Sequence, residues 1–218
     1  MNASILVFLG LVLAACGGPQ PSTEVARAVV ERDDQTLQAL LKAGSDPEEG
    51  RPRPIIWAAR TDNAQAIRLL TAAGADVNRA EGENGWTPLQ HAVHKRAARA
   101  VAALLKAGAD PNQGSPHGPS ALMMAAGYGD MESFSLLIKG GANPAFEVQP
   151  GINALWAALG GGAIADPTDG PPFGTCFPEI VAALQREAPA LRIRKEWETR
   201  VLRLLAKKGC GPLIEASL

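Results

Sequence analysis

The chain has 218 residues, 46% hydrophobic and 20% charged, with a formal net charge of -1. That length and apolar content suffice for one packed domain and exclude a disordered polymer. Near-neutrality excludes the basic character a phosphate-gripping protein needs, so no nucleic-acid partner is expected.

The first element is an apolar run from Ile5 to Ala15. It is too short to cross a bilayer as a stable helix and fits the hydrophobic centre of a secretory signal. Leu13-Ala14-Ala15-Cys16 at its end resembles the bacterial lipobox, although no Lys or Arg precedes the run. The resemblance implies cleavage before Cys16 and lipidation of its thiol. Gly17 rather than Asp in the next position implies an outer-membrane anchor facing the periplasm. A plainly cleaved signal or a buried N-terminal helix is the alternative. Residues 1–15 are read as the signal peptide and 16–22 as a flexible tether. With Cys16 lipidated, Cys176 and Cys210 remain. An oxidising compartment would join them across a loop of about 35 residues, worth about 3–4 kcal/mol in the chain-entropy model; two buried free thiols are the alternative.

Next comes a unit that recurs. "LLKAGSDP", "LTAAGADVN", "LLKAGADPN" and "LIKGGANP" carry Gly44, Gly74, Gly108 and Gly141, separated by 30, 34 and 33 residues. "LAKKGCGP" places Gly209 a further 68 residues on, two such periods. Ahead of each glycine, Val25, Ile55, Leu89, Leu122 and Leu155 form one column, and Ala28, Ala58, Ala92, Ala125 and Ala158 another. Thr87, Ser120 and Asn153 precede the short apolar segments and can accept a first-turn N–H, with Pro88 suited to the first helical position. Asp33, Asn63 and Asp130 hold the equivalent place before a second helix. Each unit thus reads as helix, turn, helix, and a loop opened by a left-handed glycine.

In the fifth unit about 35 extra residues separate the first helix, "NALWAALG", from "RLLAKKG". Residues 160–176 read as loop by their Gly and Pro density, and Pro178 opens a helix that Pro189 ends. The run from Leu191 to Lys208 reads as a lengthened second helix with Leu191, Trp197, Val201 and Leu204 near one face. It is basic: Arg192, Arg194, Lys195, Arg200, Arg203, Lys207 and Lys208 stand against Glu196 and Glu198. This is read as a solvated outer face, with contact to anionic headgroups or an acidic protein as the alternative.

A period near 33 with this content resembles the ankyrin repeat, whose Thr-Pro-Leu-His-x-Ala pattern is nearly met by Thr87-Pro88-Leu89-Gln90-His91-Ala92. Gln90 stands where the family has histidine. The implied fold is an all-α ankyrin solenoid of about five repeats over residues 23–212, with an insertion at about 160–196 and a tail at 213–218. A concave strip of loop tips and first-helix ends is the binding surface the resemblance implies. By register it takes Glu83, Asn84, Trp86, His94 and Lys95 from the third unit, His117 and Tyr128 from the fourth and Arg60 from the second. Trp86 is the expected contact anchor, because aromatic side chains dominate many interfaces; packing back onto its own loop is the alternative. Trp57 and Trp156 lie inside first helices and are assigned to the core.

His91 and His94 fall in different columns, which argues for one packed and one exposed imidazole and against a metal. The chain lacks the nucleophile elbow, the phosphate loop, H-E-x-x-H and C-x-x-C. No cofactor and no small-molecule substrate is expected. The reading is a binding module: a lipoprotein anchored through Cys16 that grips another protein, by analogy an immunity-type inhibitor of a secreted effector. An envelope enzyme with a site made by the insertion, using Asp166, Asp169 or Glu179, is the alternative. An envelope scaffold bridging complexes is a third reading.

Overall fold

The computed structural model describes residues 20–82, 84–114, 118–161, 175–193, 201–215 and 217. The signal, 1–15, and residues 16–19 of the tether lie outside them, as do Glu83, His117, Asp166 and Asp169.

Short helices alternate in two rows. The first helices are α1 (Glu24–Glu31), α3 (Pro54–Arg60), α5 (Pro88–His94), α7 (Ala121–Tyr128) and α9 (Ala154–Gly160). The second helices are α2 (Asp34–Lys42), α4 (Ala64–Ala72), α6 (Ala98–Lys106), α8 (Met131–Lys139) and α10 (Pro178–Glu187). Each packs on its partner and on the same element of the next unit. α11 (Val201–Leu205), a wider turn over Ala206–Cys210 and α12 (Gly211–Glu215) complete the chain.

The capping signals lie where the sequence puts them. Thr87, Ser120 and Asn153 accept first-turn N–H groups of α5, α7 and α9, and Thr23 does the same for α1. Asp33, Asn63 and Asp130 cap α2, α4 and α8. Gly44, Gly74, Gly108 and Gly141 have φ between 88° and 98°, where a Cβ is strained, and Gly209 follows at 94°. Such helices, seven to ten residues long, are too short to persist alone, so packing holds them. The column from Val25 to Leu155 is at most 4% exposed, as is the alanine column behind it. Alanine there lets neighbouring first helices approach closely. The second helices contribute Leu37, Ile67, Val101 and Phe134 between units. Each such side chain stabilises by about 1.5–3 kcal/mol when removed from water.

The fifth unit corrects the sequence reading. Its second-helix place, beside α9 and α8, is taken by Pro178–Glu187 from the inserted stretch rather than by "RLLAKK". The register explains why. Counted from the residue before each second helix, Val181 and Leu184 fall in the columns of Ile67 and Leu70, and both are buried. Phe177 N–H donates to the Ala158 carbonyl at 2.9 Å, as Asn63 N–H does to Ala58. The segment from Val201 follows that unit and is tied back to it. A disulfide joins Cys176, just before α10, to the buried Cys210, and Ile193 N–H donates to the Ser217 carbonyl at 3.0 Å. Leu204, expected on a packed face, is 45% exposed; Trp197 and the Val201 side chain lie outside the described residues.

Candidate functional site

The loops between units are joined into a ladder by side chains. Asn78 accepts the Asp110 N–H at 2.8 Å and donates to the Gly108 carbonyl at 3.3 Å. One unit on, Asn112 accepts the Asn143 N–H at 2.7 Å and donates to the Gly141 carbonyl at 3.0 Å. In the first unit Glu48 occupies this register and accepts the Asp76 N–H at 3.0 Å. In the fourth it falls to Ala145, whose methyl group offers no such bond. Within each loop Asp46, Asp76, Asp110 or Asn143 bonds the N–H two residues on, a turn that short polar side chains favour.

The sequence reading missed the charged knot beneath the first two tips. Arg53 stands where other units carry a capping hydroxyl or amide, and it makes no cap. Its guanidinium, 1% exposed, donates to Glu81 at 2.7 Å and Glu48 at 2.9 Å, and also reaches the Arg79 carbonyl. Arg79 and Arg51 approach the same carboxylates from outside, at 3.2 and 3.7 Å. A cation at a cap position is the sequence signal that could have found it.

The second of these tips, which leads into the third unit, closes on a bridge between Glu81 and Trp86. Glu81 N–H donates to the Trp86 carbonyl at 2.9 Å, and Gly82 and Gly85 have φ of 84° and 60°. The turn folds the indole inward, the packed alternative for Trp86. It is 8% exposed and lies 5.5 Å from the His91 ring and 5.1 Å from the His94 ring. Both imidazoles are half-buried, so the expected division into one packed and one exposed is corrected too. His94 Nδ1 lies 3.2 Å from the hydroxyl of Tyr128, itself 4% exposed. Trp86, His94 and Tyr128 therefore form a floor that crosses two units. Burial, then the positive charge of Arg60, holds the His91 pKa down at about 4, while a hydrogen bond to the Glu81 carbonyl acts the other way.

Asn84 and Lys95 are exposed and Arg60 is half-buried, its guanidinium 5.6 Å from the Trp57 ring. Arg96, not assigned to the strip from sequence, donates to the Tyr128 carbonyl at 2.9 Å. Gln90 takes up the missing histidine's place. It completes a capping box with Thr87 and donates to the Pro119 carbonyl of the next unit at 2.8 Å. Trp57 and Trp156 are buried, as assigned. Among the described residues no group of three His, Cys, Asp or Glu side chains could hold a metal ion. Glu179, from the alternative enzyme site, is exposed.

Comparison with known proteins matches residues 25–115 to a family model described as ankyrin repeats in three copies, and residues 117–147 to a single ankyrin repeat. A putative ankyrin repeat-containing protein of Treponema pallidum is 32% identical over 58% of this chain and 43% of its own length. The B-cell lymphoma 3 protein homolog of Mus musculus is 33% identical over 56% of this chain and 29% of its own. The human 2-5A-dependent ribonuclease is 35% identical over 36% of this chain, but the match takes in 10% of that enzyme. The chain spans less than half the length of these relatives. Arrays of this kind are protein–protein interaction modules and are generally not enzymes. A unit that returns in its caps, in its left-handed glycines and in the family matches has one explanation: the chain belongs to the ankyrin-repeat family.

Proposed function

We propose that the chain is a periplasm-facing lipoprotein, anchored to the outer membrane through Cys16, that binds another protein along its concave strip. The observation that carries the binding surface is the group of Trp86, His94 and Tyr128, with Arg96 on the Tyr128 carbonyl and the charges of Arg60 and Lys95 acting on the neighbouring His91. Two buried rings, Trp86 and Tyr128, make it stiff, so a partner meets a surface with little left to order. The cations favour a partner whose facing residues are acidic. The lipobox-like Leu13-Ala14-Ala15-Cys16 supports the anchor, and a Cys176–Cys210 disulfide suits an oxidising compartment.

The test is capture from envelope fractions with the wild-type chain, Arg60→Glu and Lys95→Glu. Loss of one shared partner in both variants is the expected result. Undiminished capture by both would remove the strip from consideration. Cys16→Ser is expected to abolish membrane fractionation and globomycin-sensitive processing, and unchanged fractionation would sink the anchor. Inhibition of a secreted effector is a narrower form of the reading. It requires that the captured partner lose its activity in the complex.

A further inference from the structure

The second-helix row carries an independent feature. A trough between α4 and α6 has a larger part of about 660 Å³ with Arg32, Arg68, Arg99 and Lys106 on its walls. It continues past Arg68 and Lys106 into a part of about 380 Å³ over Ala72, Ala103 and Ala107. Small residues on both helices leave the recess open.

The two carboxylates that line it, Asp34 and Asp62, do not balance the four cations. Asp62 is already engaged: one oxygen accepts from Arg99 Nε at 2.7 Å and the other from the Ala100 N–H at 2.8 Å. That bond supplies the cap that Ala97 cannot give α6. Arg68 is held by the neutral Gln65 Oε1, and Arg32 by the Thr61 carbonyl. Neutral acceptors orient these guanidiniums without cancelling their charge. The walls therefore present positive charge to an alanine-lined floor, in a chain whose net charge is -1.

We propose that this trough is a second docking site, for an extended Asp- and Glu-rich segment of a partner protein. Guanidinium forks match carboxylates in shape as well as charge. The nine-residue helices bounding it run about 13 Å, room for about four extended residues. A recessed apolar floor between charged walls admits a peptide, whereas a planar headgroup layer would meet only the rims.

The test is fluorescence anisotropy of a labelled Asp- and Glu-rich octapeptide with the full chain in mild detergent. A matched Asn- and Gln-rich octapeptide is the control. Wild type is expected to bind the acidic peptide, more weakly as salt rises, and not the amide peptide. Arg68→Glu with Lys106→Glu is expected to lose affinity by about tenfold or more. Arg186→Glu, an exposed residue of α10 that lines neither the trough nor the concave strip, is expected to bind as wild type does. Arg68→Gln with Lys106→Gln should fall between, and all variants should keep the wild-type melting temperature because both side chains are exposed. Equal binding by the charge-reversed chain overturns the proposal, as does a loss confined to Arg186→Glu or equal binding of the two peptides. Displacement of the peptide by phosphatidylglycerol doped into the micelles would assign the trough to anionic lipid and overturn it as well.

Discussion

A guanidinium enclosed between two carboxylates is stable only as a set, because each charge has given up water for its partners. Arg53→Met leaves Glu48 and Glu81 facing each other without their shared cation. We expect a loss of about 3–5 kcal/mol, measured as a shift in urea midpoint. Adding Glu48→Gln and Glu81→Gln to it should restore most of that loss; no restoration would mean that the knot contributes through shape rather than charge. His91 belongs to the same scale. Its folded pKa of about 4 lies below the ordinary imidazole value of 6.5, so between those values the unfolded chain binds the extra proton. Stability is full above pH 6.5 and falls as pH drops toward 4. His91→Gln should flatten that part of the stability-against-pH curve; an unchanged slope would acquit His91. Of these features the caps were legible in sequence, since Thr87, Ser120 and Asn153 each act on the next turn of their own chain. Arg53 was not, because its partners lie 5 and 28 residues away and only the stacked units bring them together.

Among the elements, α10 shows how a helix can be read correctly and assigned wrongly. Pro178 and Pro189 mark its ends, but the long stretch before it breaks the period that identifies second helices elsewhere. The columns through Val181 and Leu184 become visible only once it lies against α9. Its entry depends on Gly129, where φ is 68° and an added Cβ would lie 2.3 Å from the Phe177 ring. Gly129→Ala is expected to cost about 1–2 kcal/mol in left-handed backbone and about 1–3 kcal/mol in displaced packing. Hydrogen exchange should show the loss concentrated in α10. In a cycle with Phe177→Ala the two losses should sum to more than the double variant shows, because the smaller side chain removes the clash. Strict additivity would mean that the ring does not hold the helix there.

For the whole molecule, the disulfide decides how the last segment is held. It links positions 34 apart, so opening it should cost about 3–4 kcal/mol. Thermal unfolding with and without a thiol reductant measures this, and Cys176→Ser with Cys210→Ser should reproduce the reduced curve. Reduction without effect would place the anchoring of α11 and α12 in their apolar contacts instead. The interunit amide bonds carry a consequence for how such a chain can lengthen. A tandem copy spliced in behind the third unit would find the Asn112 carboxamide waiting and would bring its own for the fourth. The same copy spliced in behind the fourth would meet Ala145 and have nothing to hold. A copy inserted in the middle of the array would therefore be tied on both sides, while one behind the fourth unit would rest on helix packing alone, as α9 does.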